Sequence, residues 1–269
     1  MRRNTLSVVV LVICGSLLAS GPGCSRKHHN IITLAGSTAF QPFAEKLAER
    51  YQAEHKDIHI NVQGGGSAVG IQSALAGNAD IGMADLLELP DEAKALNSVT
   101  VARDGIAIIV NPQNQVRALS PTQTHDIFVG RITNWKDVGG NDAAVRVISR
   151  EEGSGTRSSF DKLVLGADRL VSAALFQNSN GTVREAVASD PSAIGYLSIG
   201  LVNDRVKPVS YDGVTPSNEN VKMGQYPLAR PIFFLTKGQV APMVRAFIDY
   251  VLSDEAQGIL EEEGLIAVK

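Results

Sequence analysis

Three short segments rich in glycine and hydroxyl residues could together bind a small anion. They occupy residues 35–40 (AGSTAF), 64–70 (GGGSAVG) and 149–157 (SREEGSGTR). In each segment the small residues lie between a predicted strand and a predicted helix. Because the first N–H groups of a helix have no partner within that helix, they are available to bind an oxyanion. Hydroxyl groups and the guanidinium of Arg150 would add donors without any net positive charge on the protein.

Each segment also has a plainer interpretation. Ser37 or Thr38 could simply cap the helix that follows, a contribution of about 1 kcal/mol to stability. Segment 64–70 is neither a P-loop nor a dinucleotide fingerprint, because it lacks the Gly-Lys-Ser/Thr sequence, the glycine spacing and the ribose-binding acid. Three such turns, each directly after a strand, would nevertheless place three helix N-termini at the sheet edges where α/β proteins bind ligands. The sequence therefore favours a small-anion site.

The elements that would position these segments follow from the apolar pattern. Strands are predicted at residues 31–35, 58–62 and 80–83, with helical spacing of apolar residues over 40–51 and 68–75 between them. This βαβα order predicts an α/β fold in which helices flank a largely parallel sheet.

Two continuous apolar runs, at residues 105–110 and 230–235, bracket a second α/β set. Two such runs suit a two-lobed protein whose chain crosses twice between lobes. The predicted elements of the second set and of the C-terminal part are a helix near 122–128, a strand at 145–149, and helices at 156–165, 183–189, 240–252 and 254–262.

Composition and charge limit the classes of protein and partner. Of 269 residues, 44% are hydrophobic, 20% are charged and 5% are aromatic, which is typical of a globular protein and disfavours disordered or coiled-coil chains. The 25 Lys and Arg residues against 28 Asp and Glu give a net charge of −3. Nucleic-acid partners are disfavoured, because they are usually captured by a basic face.

Residues 1–24 are predicted to be an export signal. Arg2 and Arg3 precede an apolar run over residues 6–18, which is short for a membrane span, and small residues follow up to Cys24. Residues 25–30 would be a short tether. Loss of the signal would remove two Arg and no acid, leaving 23 Lys and Arg against 28 Asp and Glu, a net charge of −5.

Cys24 could be the attachment point of a lipid. A lone cysteine after small residues at the end of an apolar run resembles the lipobox of bacterial lipoproteins, whose thiol is acylated. Gly21 and Pro22 depart from that pattern, so ordinary cleavage nearby and an uncleaved anchor remain open.

Six short motifs follow one another in a specific order and spacing: AGST at 35–38, GGGS at 64–67, DIGMAD at 80–85, ITNW at 132–135, GSGT at 153–156 and GY at 195–196. In this order they resemble the phosphate-binding proteins of bacterial ABC phosphate transporters, the PstS-like family, from about Ile31 to the C-terminus. The resemblance implies a two-lobe periplasmic-binding-protein fold, in which each lobe is a mixed sheet flanked by helices and the lobes are joined by a two-segment hinge. Lobe 1 would comprise 31–107 and 230–269, and lobe 2 would comprise 108–229.

The same resemblance implies a function and a site. The protein would be a monomeric receptor that binds inorganic phosphate between the lobes and delivers it to an ABC permease, with no catalytic residue, metal or cofactor. Ala39 would act through its backbone N–H, Arg150 would pair with phosphate, and Glu152 would orient Arg150. The implied phosphate contacts are Ser37, Thr38, Ala39, Ser67, Asp85, Arg150, Ser154, Gly155 and Thr156.

Asp85 is the residue in this set that would select among anions. A carboxylate repels a bound anion unless a proton lies between them, and phosphate at neutral pH carries such a proton whereas sulfate does not. A fixed acceptor would therefore favour phosphate over sulfate. The plainer interpretation of Asp85 is an N-cap for residues 86–89.

Other functions remain open at this stage. The same fold could bind or sense arsenate, sulfate or molybdate. A serine hydrolase is disfavoured, because neither Ser67 nor Ser154 lies in a G-x-S-x-G sequence: Val69 and Glu152 occupy the positions of a required glycine. His55 and His59 have the i, i+4 spacing of metal ligands, but they lie in a predicted loop and the strand after it, which favours a surface pair.

Overall fold

A computed structural model describes residues 30–268 of the chain. Its strands are β1 (Asn30–Gly36), β2 (Ile58–Gln63), β3 (Ile81–Ala84), β4 (Leu96–Val110), β5 (Ala118–Leu119), β6 (Arg146–Arg150), β7 (Leu175–Gln177), β8 (Ala193–Ser198), β9 (Lys207–Tyr211) and β10 (Ala229–Lys237). Its α-helices are α1 (Gln41–Glu54), α2 (Ser67–Ala76), α3 (Pro121–Phe128), α4 (Gly155–Phe160), α5 (Asn180–Ser189), α6 (Asn218–Lys222), α7 (Pro242–Val251) and α8 (Asp254–Glu262).

The first lobe is built on a mixed sheet with the strand order β2-β1-β3-β10-β4. β1 pairs in parallel with β2 and β3, as the βαβα pattern predicts, whereas β10 pairs antiparallel with both β3 and β4. Helix α1 packs on this sheet because Phe43, Leu47 and Tyr51 recur at intervals of four and are all buried. Phe40 precedes this helix and packs edge-on against Phe234 of β10, with ring centroids 5.7 Å apart.

The second lobe is built on the far half of β4. Here β4 pairs antiparallel with β8 and β9, while β8 and β7 pair in parallel with β6. Phe128, Phe160 and Tyr196 are buried in its core, and the Phe160 and Tyr196 rings stack at 3.9 Å. Helix α4 continues into a π-helical turn, Asp161–Leu165. Two lobes, each with a mixed sheet flanked by helices, confirm the predicted fold class.

Strand β4 belongs to both sheets. It pairs with β10 as far as Gly105 opposite Ala229, and from Ile106 onward it pairs with β8. Only its second half was evident from the sequence, because the first nine residues mix polar and apolar side chains and form no continuous apolar run. At the junction, Asp104 lies directly opposite Arg230 in the β4–β10 ladder.

The predicted export signal, Cys24 and most of the tether lie outside the described residues. Within the part of the chain that the structure describes, no helix has both the length and the apolarity needed to cross a membrane.

Candidate functional site

The first glycine segment ends β1 and leads into α1. Gly36 has a φ of +134°, and a Cβ there would lie 2.2 Å from the carbonyl oxygen of Met83, so the turn requires glycine. The buried Ser37 Oγ accepts a hydrogen bond from the Phe40 N–H at 3.1 Å. The N-cap of α1 is Phe40, so this bond fixes the turn before the helix, and neither Ser37 nor Thr38 is the N-cap. The backbone N–H groups of Thr38 and Ala39 donate to no other described residue. Two donors therefore remain free at this turn.

The second segment leads from β2 into α2. Ser67 is the first residue of α2, and its Oγ donates to Asp85 Oδ1 at 2.6 Å and accepts from the Asp85 N–H at 3.0 Å. The Ala68 N–H donates to the carbonyl of Gly153 in the third segment at 3.1 Å. Two of the predicted segments are thus in direct contact.

The third segment leads from β6 into α4. Ser154 is the N-cap of α4, and its Oγ accepts from the Arg157 N–H at 3.2 Å. Thr156 Oγ1 donates to Asp85 Oδ2 at 3.0 Å. A Cβ on Gly155 would lie 2.2 Å from Ser67 Oγ and 2.5 Å from Asp85 Oδ1, so the close approach requires glycine. The N–H groups of Gly155 and Thr156 make no backbone hydrogen bond to another described residue.

Arg150 joins the first segment to the third. Its side chain is only 1% exposed, and its Nη2 donates to Thr38 Oγ1 at 3.1 Å while its Nε donates to the carbonyl of Gln177 at 3.1 Å. Its Nη1 is buried and has no hydrogen-bond partner among the described residues. One edge of a buried guanidinium is therefore available to an anion.

The acid that orients Arg150 is Glu151, and the prediction of Glu152 was wrong. Both Glu151 carboxylate oxygens accept from Arg150, at 2.9 and 2.8 Å. The Ser154 N–H donates to the Glu151 carbonyl, which makes Glu152 and Gly153 the central pair of a turn. The side chain of Glu152 is consequently exposed at the tip of the turn, while Glu151 stays beside the guanidinium.

Asp85 connects all these groups and caps no helix. It follows β3, is 2% exposed, and accepts hydrogen bonds from Ser67 and Thr156 through its two carboxylate oxygens. The Nη1 of Arg230 also lies 2.9 Å from Asp85 Oδ2. The N-cap interpretation of Asp85 is therefore wrong, because residues 86–89 form no helix.

Arg230 was missed in the sequence. Its fully buried guanidinium donates from Nη2 to Asp104 Oδ2 at 2.9 Å, and Asp104 Oδ1 accepts from Ser198 Oγ at 2.8 Å. Burial raises the pKa of Asp104, and the charge of Arg230 opposes that rise. The sequence does contain an indication of this pair. Asp104 and Arg230 have opposite charges, and each lies at the start of an apolar run that was predicted to cross between the lobes.

Asn180 completes a hydrogen-bond network beside the site, and no sequence pattern indicated that role. This buried first residue of α5 accepts from the Ser198 N–H at 3.1 Å, and its Nδ2 lies 3.5 Å from Thr156 Oγ1. A ring of buried polar groups results, running through Asp85, Arg230, Asp104, Ser198, Asn180 and Thr156, in which the backbone N–H of Ser198 makes the link to Asn180. Hydrogen-bonded members of such a network fix one another's positions.

Two further contacts hold the lobes together beside the site. The Leu87 N–H donates to Ser159 Oγ at 3.0 Å, and Lys162 Nζ lies 3.2 Å from Glu88 Oε2 at the surface. The predicted site residues therefore meet where two lobes touch. Buried cations and free N–H groups on both sides suit a small anion, and the buried carboxylate adds an acceptor.

Comparisons with known proteins place the chain in a family. A PBP superfamily domain is matched over residues 21–255. The phosphate-binding protein PstS of Bacillus subtilis is 34% identical over all of this chain and 95% of its own length. A substrate-binding protein assigned to a phosphate ABC transporter of Clostridium perfringens, solved with bound phosphate, is 38% identical with a TM-score of 0.86, covering 89% of this chain and 100% of that one.

A second solved structure, an ABC-type phosphate transport receptor from Vibrio cholerae, is 37% identical with a TM-score of 0.73 and covers 87% of this chain and 99% of its own. These matches span both lobes and the whole candidate site. The shared sequence and the two-lobe fold agree with a site in which the three glycine turns contact one another beside a buried arginine. The chain belongs to the PstS family of the PBP superfamily.

Proposed function

We propose that the protein is a receptor that binds inorganic phosphate between its lobes and delivers it to an ABC permease. The observation that carries this proposal is Arg150, whose guanidinium is buried between the lobes beside Thr38. Within residues 30–268 its Nη1 has no hydrogen-bond partner, and two nearby helix beginnings have N–H groups without one. The names of the relatives support phosphate as the anion.

The proposed contacts come from both lobes, with lobe 1 comprising residues 31–107 and 230–269 and lobe 2 comprising 108–229. Ser37 and Ser154 act by fixing their turns, since their hydroxyls already accept backbone hydrogen bonds. Ser154 does so as the N-cap of α4. The donors and acceptors offered to phosphate are Thr38, Ala39, Ser67 and Asp85 from lobe 1, and Arg150, Gly155 and Thr156 from lobe 2. Ser67 and Thr156 would donate through their backbone N–H groups, because each hydroxyl already gives its one hydrogen to Asp85.

Asp85 has room for a phosphate proton despite its two hydroxyl partners. Each carboxylate oxygen has two lone pairs, so Asp85 can keep the hydrogen bonds from Ser67 and Thr156 and still accept a P–O–H group. An anion without a proton meets only repulsion at this position. Sulfate and molybdate are therefore disfavoured, whereas arsenate shares the shape and protonation of phosphate.

Changing Asp85 to Asn tests that selectivity. The amide can donate a hydrogen bond, so we expect sulfate to compete with phosphate better than in the wild type. A hydrogen bond to a charged group contributes about 1.5–3 kcal/mol, which corresponds to roughly ten- to a hundredfold in relative affinity. Competition calorimetry measures the ratio. Asp91→Asn is the matched control, because Asp91 is exposed on the surface.

The receptor function itself is tested by titrating the purified protein with phosphate, arsenate, sulfate and molybdate in a calorimeter. We expect saturable binding of phosphate to one site per chain and no heat from sulfate. Binding of sulfate in preference to phosphate would contradict the proposal. Turnover of a phosphate or carboxylic ester would support the hydrolase alternative, for which a base beside Ser67 would be needed; the Ser67 hydroxyl instead contacts Asp85.

We further propose that the chain is exported and anchored by an acylated Cys24. The proposal rests on the charged, apolar and small-residue order of residues 1–24. Mass spectrometry of the N-terminal peptide from membranes tests it. A mature chain that begins beyond Cys24 would contradict the lipid anchor and leave the receptor function unaffected.

A further inference from the structure

Arg230 stands where the two lobes join, and its charge is shared between two buried carboxylates. Nη2 donates to Asp104, its cross-strand neighbour, whereas Nη1 forms an ion pair with Asp85 Oδ2 at 2.9 Å. Nε and Nη1 have no hydrogen-bond partner within residues 30–268. The contact between Arg230 and Asp85 is therefore one of charge.

That charge bears on the role of Asp85 as a hydrogen-bond acceptor. A buried carboxylate beside a bound anion is driven toward its neutral form, both by loss of water and by repulsion. A neutral Asp85 would carry a proton and could donate it in a hydrogen bond to a fully deprotonated anion. Discrimination against sulfate thus requires that Asp85 stay negatively charged while an anion is bound.

The other groups that face Asp85 do not supply it with a positive charge. Ser67 of α2 and Thr156 of α4 are neutral donors, and Arg150 of β6 makes its side-chain ion pair with Glu151. Asp104 of β4 lies behind Arg230 and competes for its charge. Among the described residues, Arg230 is the cation whose ion pair includes Asp85.

We propose that Arg230 is a specificity-determining residue that acts through Asp85: its buried guanidinium keeps Asp85 an acceptor, so that the site takes only anions that carry a proton. The inference rests on the proposed phosphate receptor function and adds to it the residue that sets anion selectivity. Arg230 is a positioning residue in this scheme, since its charge reaches the anion through Asp85.

The test uses Arg230→Met and Arg230→Lys, each made together with Asp104→Asn. The second change avoids an unpaired carboxylate at the junction, and its amide oxygen can still accept from Ser198. Asp104→Asn alone is the matched control. Calorimetry gives the affinities for phosphate and for sulfate at the same pH, and thermal unfolding verifies that each variant folds.

We expect the control and the Lys variant to exclude sulfate as the wild type does. In the Met variant the ratio of phosphate to sulfate affinity should fall by at least about tenfold. A merely structural role would weaken both anions in proportion and leave the ratio unchanged.

An unchanged ratio in the Met variant, or equal loss of selectivity in the Met and Lys variants, would overturn the role of Arg230. If Arg230→Met does not fold, Arg230→Gln in the same Asp104→Asn background replaces it, with the same expected ratio. A wild type that binds no phosphate would instead refute the receptor function. A wild type that binds phosphate and excludes sulfate, with an equally selective Met variant, refutes only this inference.

Discussion

Replacing Arg150 with alanine is expected to weaken phosphate binding by about 2–5 kcal/mol, or roughly thirtyfold to several thousandfold. The change removes a buried guanidinium that contacts Thr38 and has one donor edge available to the anion. It also leaves the nearby Glu151 carboxylate without its cation, which adds repulsion against phosphate. Titration calorimetry measures the loss.

Two variants make the result specific to this guanidinium. Arg169→Ala removes an exposed arginine from the same lobe and should leave the affinity unchanged. Arg150→Lys keeps the charge but loses the planar pair of donors, so an intermediate affinity is expected. An Arg150→Ala variant that folds and binds phosphate like the wild type would show that Arg150 is outside the site.

Gly155→Ala is expected to abolish high-affinity binding while leaving the protein folded. The added Cβ would lie 2.2 Å from Ser67 Oγ, 2.5 Å from Asp85 Oδ1 and 2.8 Å from the Asp85 carbonyl oxygen, and the last of these is backbone that cannot turn aside. All three atoms belong to the opposite lobe. The methyl group therefore holds the lobes apart, and phosphate loses the donors of one side, so we expect a loss of at least about a hundredfold.

The matched control is Gly181→Ala, near the beginning of α5. Its Cβ would meet only Ser179 Oγ, at 3.7 Å, which is ordinary contact. Both variants place alanine in the first turn of a helix of the second lobe, so their effects on helix stability are alike. We expect near-wild-type melting temperatures for both and a loss of affinity for Gly155→Ala alone. Equal affinities would mean that the contact between Gly155 and Ser67 is not needed for binding.

The elements of the first lobe could be predicted because periodicity and burial coincide there. β1, β2 and β3 are short apolar strands separated by helices with four-residue spacing, and the structure has them within a few residues of the predicted bounds. The antiparallel pairing of β10 with β3 and β4 could not be predicted, because strand pairing depends on contacts between segments that are far apart in the chain. The first half of β4 escaped notice for a local reason: its residues Asn97, Ser98 and Arg103 interrupt the apolar pattern.

The candidate site likewise contains residues that the sequence indicates and residues that it does not. Glycines, hydroxyls and Arg150 are visible because they stand together in short segments, and the structure brings all three segments into contact. Arg230 and Asn180 join the network from distant positions in the chain, so no local spacing indicates them. The sequence also could not show that Glu151, rather than Glu152, pairs with Arg150. The conformation of one turn decides which of the two adjacent acids faces the guanidinium.

The unbroken passage of β4 through both sheets also constrains how the molecule moves. A ladder of hydrogen bonds resists sideways bending, whereas small torsional changes spread over several residues allow a strand to twist. We expect the lobes to swivel about this strand, with a pivot near residues 104–106. Atoms near a pivot travel little, so the pair formed by Arg230 and Asp104 should persist at every opening angle. The bond from Arg150 to Thr38 joins distant parts of the two lobes, and it should form only at the end of the swing.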